Sequence, residues 1–236
     1  MKEQTPSHIF KSQWRGCEET DKYKCFSTFS FNQYQDEFKK SFGQLKFFND
    51  EFLSPQQSIT HKLEENTQVF LLPLAGALNY YNSADKEELI KYEQLKYFNI
   101  EKGSPYTFNN PYEKEWINYL HIGFKSNSSR SEHASYLQGI EFEKMNTLVS
   151  LDFKKSTEGP CAGYIGIYES RKKEDYILKD PKNGLFVYVI KGAFDFEGRL
   201  LEYRDGLSMW DINEVEFEAL TENAIIMLLE VPLDNN

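Results

Sequence analysis

The strongest constraint on this chain is that part of it is written twice. Val69–Tyr80 reads VFLLPLAGALNY, and Val187–Phe196 reads VYVIKGAFDF. Each segment is an apolar strand, a Gly-Ala pair (Gly76-Ala77, Gly192-Ala193) and a second alternating strand. Each leads into a charged hairpin, a further glycine turn (Gly103, Gly206) and a closing apolar strand, Trp116–Phe124 or Ala224–Val231. One unit recurring in one order implies an internal duplication. The remaining strand-like runs agree: Lys24–Phe31, Leu45–Phe48, Gln68–Leu74 and Leu185–Ile190 are rich in Phe, Tyr, Val and Ile, which suit a pleated surface. Turn signals separate them, among them Phe48-Asn49-Asp50, Asn82-Ser83-Ala84-Asp85, Asp180-Pro181-Lys182-Asn183-Gly184 and Tyr203-Arg204-Asp205-Gly206. Helical periodicity is weak, with short candidates at Ser83–Lys91 and Ser131–Gln138. The expectation is an all-β protein of two tandem antiparallel barrels.

The low-apolar stretch Lys125–Glu132 (KSNSSRSE) divides the units and reads as a linker, or as a long surface loop within one domain. The expected division is an N-terminal domain over 1–125, a linker over 126–145 and a C-terminal domain over 146–236. With 236 residues, 40% hydrophobic and 16% aromatic, the chain can bury real cores. A net charge of −10 argues against direct nucleic-acid binding and against an anionic membrane surface. Cys17, Cys25 and Cys161 are odd in number and irregular in spacing, so neither a disulfide framework nor a metal knuckle is expected. The start MKEQTPSHIF carries no apolar leader, and a cytoplasmic location is the expectation.

Several short motifs together resemble the pirins and pirin-like quercetinases, a family of bicupins. They are Arg15-Gly16 before Thr28-Phe29-Ser30-Phe31, then Phe42-Gly43-Gln44-Leu45 with Asn49-Asp50, then Tyr136-Leu137-Gln138 through Phe142. In the second half Val189-Ile190-Lys191-Gly192 and Asp205-Gly206-Leu207-Ser208-Met209-Trp210-Asp211 complete the series. The resemblance spans nearly the whole chain in order. It implies two tandem cupin jelly-roll barrels, packed intimately in a monomer. It also implies one metal, commonly iron, held in the N-terminal cupin by a His-x-His pair and by a His and a Glu from a later strand.

Those ligands are missing. Counted back from Gly76, the family's two histidines fall on Lys62 and Glu64, and a slip of one residue gives His61 and Leu63. The later pair falls on Tyr106 and Phe108, or on Phe108 and Asn110. The expectation is therefore a degenerate site with no bound metal. Its mouth would be relined by Lys62, Glu64, Tyr106 and Phe108, with His61 and His121 nearby, and would take a small aromatic or acidic metabolite. A site of His61, His121 and Glu64 is conceivable, though no spacing demands it. His8 reads as solvated and His133 as part of the linker. Gly159-Pro160-Cys161-Ala162-Gly163 reads as a turn, Arg171-Lys172-Lys173 as a hairpin tip, and no P-loop, GxGxxG or GxSxG is present. The leading expectation is a non-catalytic binder. The alternatives are a metal-dependent quercetin 2,3-dioxygenase and a protein-interaction module.

Overall fold

The computed structural model describes residues 5–82, 87–126, 135–151 and 162–234. Within them the chain forms strands and a single 3-10 turn, Ser12–Trp14. No helix among the described residues is long and apolar enough to cross a membrane.

Two barrels are built on one plan. In the first, a seven-stranded sheet runs in the order Tyr136–Gly139, Gln94–Ile100, Thr67–Ala75, Ile117–Lys125, Leu45–Leu53, Tyr23–Ser27, Gly16–Glu19. A four-stranded sheet faces it, ordered Ser58–Lys62, Pro105–Asn109, Leu78–Asn82, Glu88–Ile90. In the second, the large sheet runs Ser7–Phe10, Gly206–Met209, Asn183–Lys191, Ala224–Pro232, Ala162–Tyr168, Thr147–Leu151. Its small sheet runs Lys173–Ile177, Glu214–Ala219, Phe194–Phe196, Arg199–Leu201.

The duplication extends to details. Both Gly-Ala turns place glycine in the left-handed region, at φ 78 for Gly76 and 79 for Gly192. A Cβ there would stand 2.8 Å from Ile117 Cγ2 and 2.2 Å from Thr221 Oγ1, so only glycine closes these hairpins. Both closing strands carry a register shift at the same place, between Asn118 and Tyr119 in one barrel and opposite Val189 and Lys191 in the other.

Two strands cross the expected division of the chain. Ser7–Phe10 pairs with Gly206–Met209 of the second barrel, and Tyr136–Gly139 pairs with Gln94–Ile100 of the first. The barrels also share a core. Phe10, Phe29, Phe48, Phe186 and Tyr188 are at most 4% exposed and meet ring to ring, with Phe48 and Tyr188 centroids 4.5 Å apart. Burying each such ring stabilises the fold by roughly 1.5–3 kcal/mol, so the barrels form one packed body. Phe29 of the Thr-Phe-Ser-Phe motif therefore serves the interface between the barrels and takes no part in a ligand site.

Two local expectations are corrected. Phe48-Asn49-Asp50 is no turn but the middle of one strand, Leu45–Leu53. Both helix candidates contain strands instead, Glu88–Ile90 and Tyr136–Gly139, and their parts at 83–86 and 131–134 lie outside the described residues.

Candidate metal centre in the N-terminal barrel

Strand alternation decides which side chains enter the barrel. On Ser58–Lys62, His61 is buried while Thr60 and Lys62 are exposed; beyond it Leu63 is buried and Glu64 exposed. The neighbouring strand pairs Tyr106 with His61 and Phe108 with Ile59. The inward set on this sheet is therefore Ile59, His61, Tyr106 and Phe108. From the facing sheet, Leu45–Leu53 and Ile117–Lys125 send in Glu51 and His121, both fully buried.

Glu51, His61 and His121 converge. One ligand atom from each lies within 4.8 Å of the others. His121 Nδ1 is 2.8 Å from Glu51 Oε1, and its Nε2 is 2.9 Å from the Tyr106 hydroxyl. The tautomer that serves both contacts donates from Nδ1 to the carboxylate and accepts at Nε2 from the phenol. Asn49 Nδ2 adds a 3.4 Å hydrogen bond to Oε1. His61 Nε2 stands 3.5 Å from Glu51 Oε2, yet neither atom completes a hydrogen bond. The Tyr119 hydroxyl beside them also completes no hydrogen bond, although it interacts with the Glu51 carboxylate.

The protonation states follow. Burial alone would push the Glu51 carboxyl up, but electrostatic attraction to His121 and His61 and the His121 hydrogen bond reverse this and hold it well below the usual carboxylate range. Burial pushes His121 down, against an opposing pull from Glu51. Burial, then the Glu51 charge, keeps the Tyr106 phenol protonated. The triad thus offers a carboxylate and a neutral imidazole, the forms in which these groups ligate metals.

The metal implied by a pirin-like fold is not accommodated by the inward set of the small sheet alone. Ile59, His61, Tyr106 and Phe108 supply one imidazole, one phenol and two hydrocarbon side chains. It is accommodated by the triad. Two imidazoles and one carboxylate form a donor set suited to divalent transition metals. The two buried atoms without partners, Glu51 Oε2 and His61 Nε2, face each other where a cation would satisfy both.

The residues read from the sequence as one pocket separate into two places. Lys62 and Glu64 line a surface cleft of about 480 Å³ together with Lys46, Phe31 and Phe47. His61, His121, Tyr106 and Phe108 lie in the packed interior, with His61 stacked on Tyr106 at 5.4 Å. Phe47 and Phe31 line the cleft and also reach His121, their centroids 4.8 and 6.1 Å from its ring. Glu51, not Glu64, is the carboxylate beside the two histidines. Alternation over Leu45, Phe47, Asn49, Glu51 and Leu53 was the available signal for it, masked by the turn-like Asn-Asp pair. His8 is exposed on the first strand, and His133 and Cys161 lie outside the described residues.

The profile of the quercetinase C-terminal cupin domain matches residues 163–231. Bacterial pirin YhhW from Escherichia coli, solved in complex with nickel(II), superposes over 97% of this chain and 100% of its own, with a TM-score of 0.85 at 16% identity. This chain has the two-barrel fold of the pirin-like bicupins. Quercetin 2,3-dioxygenase from Acinetobacter baumannii shares the pirin-like architecture over 96% of this chain and 79% of its own, at a TM-score of 0.70 and 13% identity. YhaK from Escherichia coli matches 89% of this chain and 94% of its own, at 0.72 and 15%. No curated protein sequence matches.

Proposed function

We propose that this pirin-like bicupin binds one divalent transition-metal ion through Glu51, His61 and His121, inside an N-terminal barrel closed to large substrates. The observation that carries this reading is the unsatisfied pair Glu51 Oε2 and His61 Nε2, both atoms buried. A buried carboxylate costs several kcal/mol unless a cation or hydrogen bonds compensate it. His121 and Asn49 satisfy only Oε1. YhhW, which shares this fold, was solved in complex with nickel(II), and that supports the reading. An ion held here would supply Lewis acidity. To ligate through Nδ1, His121 would take the other neutral tautomer, with its proton on Nε2 donated to the Tyr106 hydroxyl, which would fix the ring. Phe31 and Phe47 keep solvent from the triad.

The same packing disfavours flavonol cleavage. Tyr106 and Phe108 occupy the interior, and the cleft above is separated from the triad by Phe31 and Phe47. A small acidic or aromatic molecule at that cleft would meet Lys62 and Glu64, not the triad. The dioxygenase reading rests on likeness of fold, which does not carry function.

Elemental mass spectrometry tests the proposal, on protein grown with iron, manganese, copper, nickel and zinc available. About one equivalent of one transition metal is expected, with Glu51→Gln and His61→Ala losing it while keeping a wild-type circular dichroism spectrum. Metal-free protein throughout, or a Glu51→Gln variant that retains metal, overturns it. Flavonol consumption by the metal-loaded protein would instead establish the dioxygenase reading.

A further inference from the structure

A second feature lies between the barrels, on the opposite face of the Leu45–Leu53 strand. There a cleft of about 420 Å³ is walled by Phe52 and Leu74 from the first barrel and by Ile165, Ile190 and Ile225 from the second. Arg204, Asn118 and Lys191 also line it. That volume suits a small molecule, and apolar walls with a few fixed polar groups are the usual makeup of such sites.

The polar groups here are unbalanced. The side chains of Arg15 and Arg204 are only 8% and 6% exposed and share one carboxylate, Asp50. Asp50 Oδ2 is 3.1 Å from Arg15 Nη1 and 3.5 Å from Arg204 Nε, while Oδ1 accepts from Asn118 Nδ2 at 2.7 Å. The adjacent Asp205 is committed elsewhere, to Lys11 Nζ at 2.6 Å and to the backbone N–H groups of Ser12 and Glu202. Arg204 is 5% exposed and donates one hydrogen bond, from Nη2 to Asn118 Oδ1 at 2.9 Å. Its Nη1 and Nε complete none: Nε faces Asp50 Oδ2 at 3.5 Å, and the phenols of Tyr188 and Tyr203 interact with the guanidinium from nearby. Arg204 also sits in the left-handed region, at φ 65, a strained conformation for a side-chain-bearing residue. Two guanidinium charges thus face one anion beneath an apolar cleft, and buried N–H groups lack acceptors. An anionic oxygen entering the cleft would supply them through charge-assisted hydrogen bonds, with Lys191 at the exposed rim adding attraction.

We infer that the cleft between the barrels binds a small monocarboxylate with an apolar body, its carboxylate held by Arg204 and its body packed between Leu74 and Ile225. The site is independent of the triad. Isothermal titration of the full-length protein with 4-phenylbutyrate, and with 4-phenylbutanamide as its uncharged isostere, tests it. The acid binds at one site and the amide at least about tenfold more weakly, since charge-assisted contacts are the stronger ones. Arg204→Gln weakens the acid by a similar factor and leaves the amide unchanged. Ala75→Trp, at an exposed position on the cleft wall, blocks both without depending on the buried charges. Equal affinity for acid and amide, acid binding indifferent to both substitutions, or no binding of the acid by the wild-type protein overturns the inference.

Discussion

The two barrels came from one unit, and they resolve the same interior in opposite ways. With Gly76 set on Gly192, strand register matches the positions one to one. His121 pairs with Leu71 as Leu228 pairs with Val187; Glu51 pairs with Tyr119 as Gly166 pairs with Ile226; His61 pairs with Tyr106 as Tyr176 pairs with Val215. The triad Glu51, His61 and His121 thus corresponds to Gly166, Tyr176 and Leu228. Gly166 has no room for a carboxylate, because a Cβ there would lie 2.5 Å from the Tyr168 ring. Tyr176 donates its hydroxyl to the buried carboxylate of Glu230, which also accepts from the Lys179 N–H and Asn183 Nδ2. The second barrel therefore fills its centre with hydrocarbon and stacked rings, such as Phe196 on Phe217 at 5.6 Å. The first keeps three titratable groups there at a cost in desolvation. A fold that closes without them, as its own duplicate does, has no structural need of them.

The largest effect should come from giving the first barrel the second barrel's residue. In metal-free protein, His121→Leu strips Glu51 of its best partner and leaves a buried carboxylate. Such losses cost about 3–5 kcal/mol. Replacing the carboxylate as well, in Glu51→Leu with His121→Leu, removes the uncompensated charge and should recover most of that loss. Urea unfolding of the two singles and the double gives the coupling. A double variant as unstable as His121→Leu would mean that the triad is needed for packing, and the contrast between the barrels would lose its force.

A smaller loss is expected at the charge cluster on the other face of the same strand. Asp50→Asn leaves Arg15 and Arg204 without an anion between the barrels and should cost about 3 kcal/mol. The arginines can relax toward solvent through the cleft, which is why the loss sits at the low end of that range. Unchanged urea stability would show that the cluster is already hydrated.

These cases mark what was legible in the sequence. The duplication was, because hairpin glycines and apolar strands repeat at fixed order and need no tertiary information. The pirin-like architecture was too, since its motifs follow one another along the chain. Glu51 was not. Asn49-Asp50-Glu51 has the local chemistry of a turn, and only partners distant in the chain, Arg15, Asn118 and His121, make a continuous strand of it. Lys62 and Glu64 line a cleft but face away from the triad; the slip of one residue that brings in His61 is the register the strand uses, and one residue on a strand exchanges inside for outside. The inter-barrel cleft had no sequence signal, because its walls come from segments separated by most of the chain.

The second barrel offers the control for losing one hydrogen bond to a buried carboxylate that keeps its other donors. Tyr176→Phe removes one donor to Glu230, which keeps its backbone and Asn183 contacts. A loss of about 1.5 kcal/mol is expected, the low end for a bond to a charged group. A loss as large as that of His121→Leu would mean that the two interiors are equally dependent on polar contacts.

The smallest effect is kinetic and reports whether the first barrel is closed. Cys25 is buried beside the triad, its Sγ 3.5 Å from Ser27 Oγ, and its thiol is pushed far up by burial first and by the Glu51 charge second. Cys17 is exposed. Thiolate is the reactive form, so the two cysteines should differ sharply toward a thiol reagent at neutral pH. In a Cys161→Ser background, 5,5′-dithiobis(2-nitrobenzoate) should label Cys17 at once and Cys25 only as fast as the barrel opens. His121→Leu, by weakening that barrel alone, should speed the slow phase and leave the fast one untouched. Two equal fast phases in the unmodified barrel would show that solvent reaches the triad freely. The contrast would then be between an open and a closed barrel, and the space around Glu51 would have room for more than an ion.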